Sequence, residues 1–183
     1  PAPRPLIADP ENIALYRAQL QYKSEVLMLT GGRQRISLDD DRFVDSAQIR
    51  QAAQTYDAVR AEWVLMPKLK ADISYAWSVR TVWGVDGSGA RPQSIPGDNV
   101  FANLGYATPL GTLIAYAYLI DQDAAAVQNF RMSNQTYGAK LQGSQELWAK
   151  AKLSYQVSFA RQSDYHRNPN DYAANFYLLD TML

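Results

Sequence analysis

Residues Leu69 to Trp83 read LKADISYAWSVRTVW. Leu69, Ala71, Ile73, Tyr75, Trp77, Val79, Thr81 and Trp83 form one set, and Lys70, Asp72, Ser74, Ala76, Ser78 and Arg80 form the other. The first set is apolar or aromatic and the second is mostly polar. An alternation this strict belongs to a strand with one wet and one apolar face, because successive side chains point to opposite sides. It is also far longer than the roughly 5–6 residues usual in a globular strand.

The same period recurs on both sides. In NIALYRAQLQYK, Asn12 to Lys23, the residues Ala14, Tyr16, Ala18, Leu20 and Tyr22 alternate with Arg17, Gln19, Gln21 and Lys23. In LWAKAKLSYQVSFARQ, Leu147 to Gln162, Ala149, Ala151, Leu153, Tyr155, Val157 and Phe159 alternate with Lys150, Lys152, Ser154, Gln156 and Ser158. Extending this pattern predicts about nine strands: 12–23, 25–36, 51–66, 69–83, 98–108, 111–121, 134–144, 147–162 and 172–182. Residues 46–63 also fit a helix, with Ser46 as N-cap and Ile49, Ala53, Tyr56 and Trp63 on one face. Val59, Ala61, Trp63 and Leu65 alternating with Arg60 and Glu62 favour strand. DAAAVQNF, Asp123 to Phe130, fits a short helix inside a loop.

The connections come in two lengths. Short turns are predicted near Ser24, Pro67, Pro109 and Gln145. Long ones are predicted at 37–51, 84–98, 121–134 and 162–171. Of 18 acids, 14 are Asp and 4 are Glu, and the long connections hold ten of those aspartates. Asp favours turns and loops, so the bias argues against a helical protein. Short turns on one side and long loops on the other are the layout of an antiparallel up-and-down transmembrane β-barrel. The fold expected is therefore all-β. Mid-strand charges such as Arg17, Arg60, Glu62, Asp72 and Lys140 suit a water-filled lumen, where they escape the desolvation cost of a dry core. A one-sided soluble sheet with a solvated charged face accounts for the alternation too, but less well for the strand length and loop asymmetry.

Composition narrows the functions. Eighteen basic residues balance eighteen acidic ones, which gives no electrostatic footprint for nucleic acid. There is no Cys and a single His, so neither a zinc site nor a Ser–His triad assembles, and no cofactor is expected. Asp39, Asp40 and Asp41 with Asp45 are oxygen ligands of the kind Ca²⁺ takes, but they lack the Gly and distal Glu of an EF-hand; a solvated acidic loop outside the membrane is the competing reading. DGSGARPQSIPGD, Asp86 to Asp98, has glycines without a phosphate-binding Lys-Ser/Thr and reads as a loop.

Recognisable blocks run along the chain: GRQRI at Gly32–Ile36, LDDDRFV at Leu38–Val44, IRQ at Ile49–Gln51, QTYDAVR at Gln54–Arg60, AYAYLID at Ala115–Asp121, QTYGAKLQG at Gln135–Gly143 and FARQSDY at Phe159–Tyr165. In these blocks the sequence resembles the alginate export family of Gram-negative outer-membrane porins. The resemblance implies a monomeric barrel of about eighteen strands in the outer-membrane lipid, passing anionic saccharides or other solutes by diffusion. About nine strands is half of that, and single-chain bacterial barrels have an even count. Residues 1–183 are accordingly expected to be the N-terminal and middle part of a barrel domain whose remaining strands are missing; the absence of a first Met and the ending YLLDTML, without a terminal aromatic, point the same way.

The residues expected to line the pore and meet the solute are Arg33, Arg35, Arg60, Arg80, Asp57, Glu62, Arg17 and Lys140. Guanidinium groups match carboxylate geometry, and charged rings select ions. The expected arrangement is acid at the rim and base within. Two further functions remain in view: a general porin for small organic solutes, and a soluble β-sheet module binding acidic polysaccharide. A polysaccharide lyase ranks below these, for want of a Tyr, Arg and His cluster.

Overall fold

A computed structural model describes residues 13–48, 52–148 and 151–183. They form one sheet of nine antiparallel strands in sequence order, each paired with its chain neighbours. The strands are β1 Ala18–Lys23, β2 Leu27–Gln34, β3 Thr55–Met66, β4 Leu69–Arg80, β5 Ser94–Thr108, β6 Gly111–Gln122, β7 Asn134–Trp148, β8 Ala151–Asp164 and β9 Ala173–Met182. The alternation thus produces the up-and-down sheet expected of it. Residues 55–66 are strand rather than helix; residues 49–51, which the helical reading and the predicted start of this strand include, lie outside the described residues. The segment 123–130 holds only a 3₁₀ turn at Gln128–Phe130.

Several strand boundaries differ from expectation by two residues or more, and three of the differences have a readable cause or consequence. β1 begins at Ala18, not residue 12. β5 begins at Ser94, inside a stretch whose Pro96 and Gly97 read as loop. The turn placed near Gln145 lies further on, since Gln145 pairs with Leu153 and the ladder continues to Trp148↔Ala151. GSQEL has turn-forming residues, but pairing with β8 overrides them.

One face of the sheet is bare and apolar. Leu29, Val59, Trp63, Ile73, Tyr75, Leu104, Tyr106, Leu113, Val157, Phe159 and Tyr177 are all more than a third exposed on it. The other face is covered by the β2–β3 connection, through its described residues 36–48. Ile36, Leu38 and Val44 are buried there, and Phe43 stacks edge-on to Phe176 and at 5.9 Å from Tyr116. Burying each aliphatic chain favours the inward fold by roughly 1.5–3 kcal/mol before ordering costs. Backbone pairing pins the loop as well: Leu38 N–H donates to Val44 O at 3.0 Å, and Ser46 Oγ accepts from Ile36 N–H while donating to Ile36 O.

A bulge on β4 changes which residues face which way. Ala58 pairs with Ala76 and Asp57 with Ser78, leaving Trp77 as the extra residue. An extra residue exchanges the faces beyond it. Val79 therefore turns to the covered face, opposite buried Tyr56 and Ile95, and Arg80 turns to the bare one.

Gly138 on β7 lies directly opposite Tyr116 on β6. A Cβ at Gly138 would overlap the Tyr116 ring and the Phe159 carbonyl. Gly138→Val should consequently destabilise the barrel by roughly 1–3 kcal/mol through overpacking. Urea unfolding of the reconstituted protein measures this; an unchanged midpoint would show that the ring has room to move.

Candidate functional site

The covered face carries Arg60, Glu62, Lys70, Asp72 and Lys140 from the strands. Arg60 on β3 sends a two-pronged fork to Asp72 on β4, with Nε 2.9 Å from Oδ1, and its Nη2 lies 3.5 Å from Glu62 Oε1. Planar guanidinium against carboxylate is the geometry that favours such a fork. Around this group lies an open cavity of about 560 Å³, lined also by Lys23, Lys70, Asn103 and Asp39. Among the described residues, no carboxylate lies within ion-pair distance of Lys23 or Lys70. Both are exposed.

The inward loop closes one side of this basin. Asp39 reaches mid-sheet: Lys140 Nζ lies 3.0 Å from its Oδ1, and Tyr118 OH and Asn103 Nδ2 donate to Oδ2 at 2.8 and 3.0 Å. The Lys140 side chain is 3% exposed and that of Asp39 11%. Asp40 accepts from Gln156 Nε2 at 3.2 Å and lies 3.5 Å from Arg42. The acidic run therefore does not stand outside the sheet as expected. It is carried inward by its apolar neighbours. Nor do Asp39, Asp40, Asp41 and Asp45 converge as a Ca²⁺ loop: Asp39 and Asp40 hold separate partners, and Asp45 accepts from Ser37 Oγ at 3.5 Å. Among the described residues, no group of three or more His, Asp or Glu comes together.

The residues named from the sequence divide between the two faces. Arg60, Glu62 and Lys140 lie on the covered face. Arg17 donates to Gln19 Oε1 at 3.4 Å just before β1 and is exposed. Arg33 does not join them. It pairs with Asp57 in a two-pronged contact, at 2.7 and 3.0 Å, on the face that carries Leu29 and Val59. Arg35 is exposed, while Gln34 and Ile36 turn inward and are buried, the reverse of the expected orientation. The physical reason is that Ile36 completes the loop's apolar anchor, which fixes the phase of β2. Arg80 joins Arg33 and Asp57 on the bare face because of the Trp77 bulge. A single basic patch of Arg33, Arg60 and Arg80 is thus not assembled.

Sequence reasoning passed over Lys23 and Lys70 as site residues, although both stand in the polar set of an alternating strand. It also gave no partner to His166. His166 Nδ1 lies 2.8 Å from Asp121 Oδ2, and Arg167 bridges Asp121 and Asp123. The hydrogen bond to Asp123 raises the Arg167 guanidinium above its ordinary pKa. These contacts join the β6–β7 and β8–β9 connections at the long-loop end.

An apolar outer band and a charged inner face describe a membrane-spanning sheet with an aqueous side. No curated protein and no solved structure matches the chain. The profile of one family, alginate export, matches residues 4–162 of the 183. The chain belongs to the alginate export family, whose members are outer-membrane transport porins and not enzymes.

Proposed function

We propose that this sheet is part of a bacterial outer-membrane barrel through which anionic solutes diffuse passively, either polyuronates of the alginate type or small carboxylates. The covered face is the lumen wall and the bare face meets lipid. The observation that supports this best is the segregation of the two faces: among the described residues no loop packs over the apolar band, and the basin opposite it holds Lys23 and Lys70 without acid partners. Arg60 and Lys140 are neutralised by their carboxylates and act as braces. The two lysines are then the groups that attract a passing carboxylate.

Further strands complete the barrel. Among the described residues β1 and β9 each pair on one side only, and an open sheet edge does not survive in hydrocarbon. About eighteen strands, closed as a monomer, satisfy this condition with an even count.

The test is the reversal potential of the complete channel under a salt gradient. Lys23→Glu/Lys70→Glu should move preference from anions toward cations, and the shift should shrink as salt rises. Arg35→Glu, on the opposite face, should move it far less. A folded double variant with unchanged preference would remove the anionic reading and leave a general porin.

A further inference from the structure

On the long-loop side of Asp39, a second cavity of about 420 Å³ lies between the β2–β3 loop and strands β3 to β6. That size is within the roughly 300–1,000 Å³ of ordinary ligand sites. Asp41, Arg42 and Asp45 of the loop line it, but its sheet side is uncharged. Phe43 of the loop and Tyr56 and Phe101 of the sheet line it, together with Val79 and Ile120. Tyr56 and Phe101 are buried and meet edge to face at 5.7 Å.

Two amide side chains, Asn99 and Gln122, also line this cavity, and each holds a buried oxygen with no hydrogen-bond partner. Asn99 is 2% exposed and Gln122 6%. The Asn99 amide is oriented by its Nδ2, which donates to Ala76 O at 3.0 Å and so leaves Oδ1 as a bare acceptor. The two residues sit on paired strands: Asn99 is opposite Ile120, and Gly97 is opposite Gln122. They are diagonal neighbours, roughly 7–8 Å apart at the backbone. A buried acceptor without a donor costs about 1–3 kcal/mol, so two in one cavity call for a donor from outside the protein.

We propose that this cavity binds the hydroxyl edge of an uncharged sugar ring. Two hydroxyls would donate to Asn99 Oδ1 and Gln122 Oε1, and the apolar face of the ring would pack on the aromatic wall. A carboxylate is disfavoured, since it would bring negative charge against two carbonyl oxygens. A divalent cation is disfavoured because Ca²⁺ takes 6–8 oxygens, and Asp41 and Asp45, although both line the cavity, do not come together with a third carboxylate in a cluster able to hold a metal among the described residues. The site does not rest on the channel reading, as a ring can bind here whether or not the pore sorts anions.

The test is calorimetric titration of the complete protein in detergent micelles with mannotriose, a neutral probe. Saturable binding is expected, with an affinity unchanged between about 0.05 and 0.5 M NaCl, because the ring is neutral and the groups proposed to hold it are uncharged. Gln122→Met, close in shape and lacking the acceptor, should weaken binding by up to about tenfold, the factor one neutral hydrogen bond is worth. Asn99→Leu should do the same; it also strips Ala76 O of its donor, so Gln122→Met decides the matter where Asn99→Leu does not fold. Absence of saturable binding would mean that water alone serves both oxygens, and would overturn the proposal. Undiminished affinity in Gln122→Met, or affinity that falls as salt rises, would overturn it too, the latter by assigning the probe to the charged basin.

Discussion

Lys140→Met should cost the folded barrel about 3–5 kcal/mol and raise its single-channel conductance. The figure is that for removing one partner of a buried ion pair, which leaves the other charge uncompensated. Asp39 is that other charge. Tyr118 and Asn103 still donate to it, but neither carries a positive charge. The loop's choice is then between holding a lone carboxylate against the wall and lifting away. Lifting exposes Ile36, Leu38 and Val44, so the change shows as lost stability and a wider bore together. Lys140→Met/Asp39→Asn should recover most of the loss, because the amide oxygen accepts from Tyr118 and Asn103 without needing a cation. Urea unfolding and planar-bilayer conductance of the three proteins measure both effects. Equal stability of wild type and Lys140→Met would mean that the apolar anchor alone holds the loop.

Ile73→Arg should destabilise the inserted barrel by roughly 2–4 kcal/mol, the cost of a guanidinium near the bilayer midplane on a lipid-facing strand. Ile73 is half exposed in the middle of β4, with Ala61 and Ala102 beside it on the paired strands. Neither neighbour offers an acceptor. The nearest charges on this face of the adjoining strands, Asp57 with Arg33 and Asp98 with Tyr75, lie toward the long loops. Ile73→Ala isolates the charge from the lost side chain. Refolding into phosphatidylcholine vesicles, followed by urea unfolding, gives the difference between the two variants. A difference under about 1 kcal/mol would take this face out of the membrane core.

The legible part of the molecule was whatever repeats with period two. Leu69 to Trp77 and Tyr155 to Phe159 announce both their secondary structure and their faces, because a sheet with lipid on one side tolerates no slip of one residue. The bulge escaped notice for the same reason: Val79 is apolar and Arg80 polar, so the pattern runs on across Trp77 as if nothing intervened, and only pairing with β3 shows the exchange. The inward loop had a signal that the aspartates masked. A segment destined for bulk water has little use for Ile36, Leu38, Phe43 and Val44 in nine residues, and those four are what carry Asp39 to Lys140. The acid partners of Arg33 and Arg60 were not readable from spacing, since Asp57 and Asp72 are set by register across strands.

The docked loop also imposes an order on assembly. Every strand of the sheet pairs with its sequence neighbours, so the wall can zip hairpin by hairpin with short closures, which favours speed. The loop is different. Its partners Asn103, Tyr118 and Gln156 lie 64, 79 and 116 residues from the aspartates they bind. None of those docking points exists until β5, β6 and β8 are in place. These separations predict that the wall forms first and that the loop seats on it last.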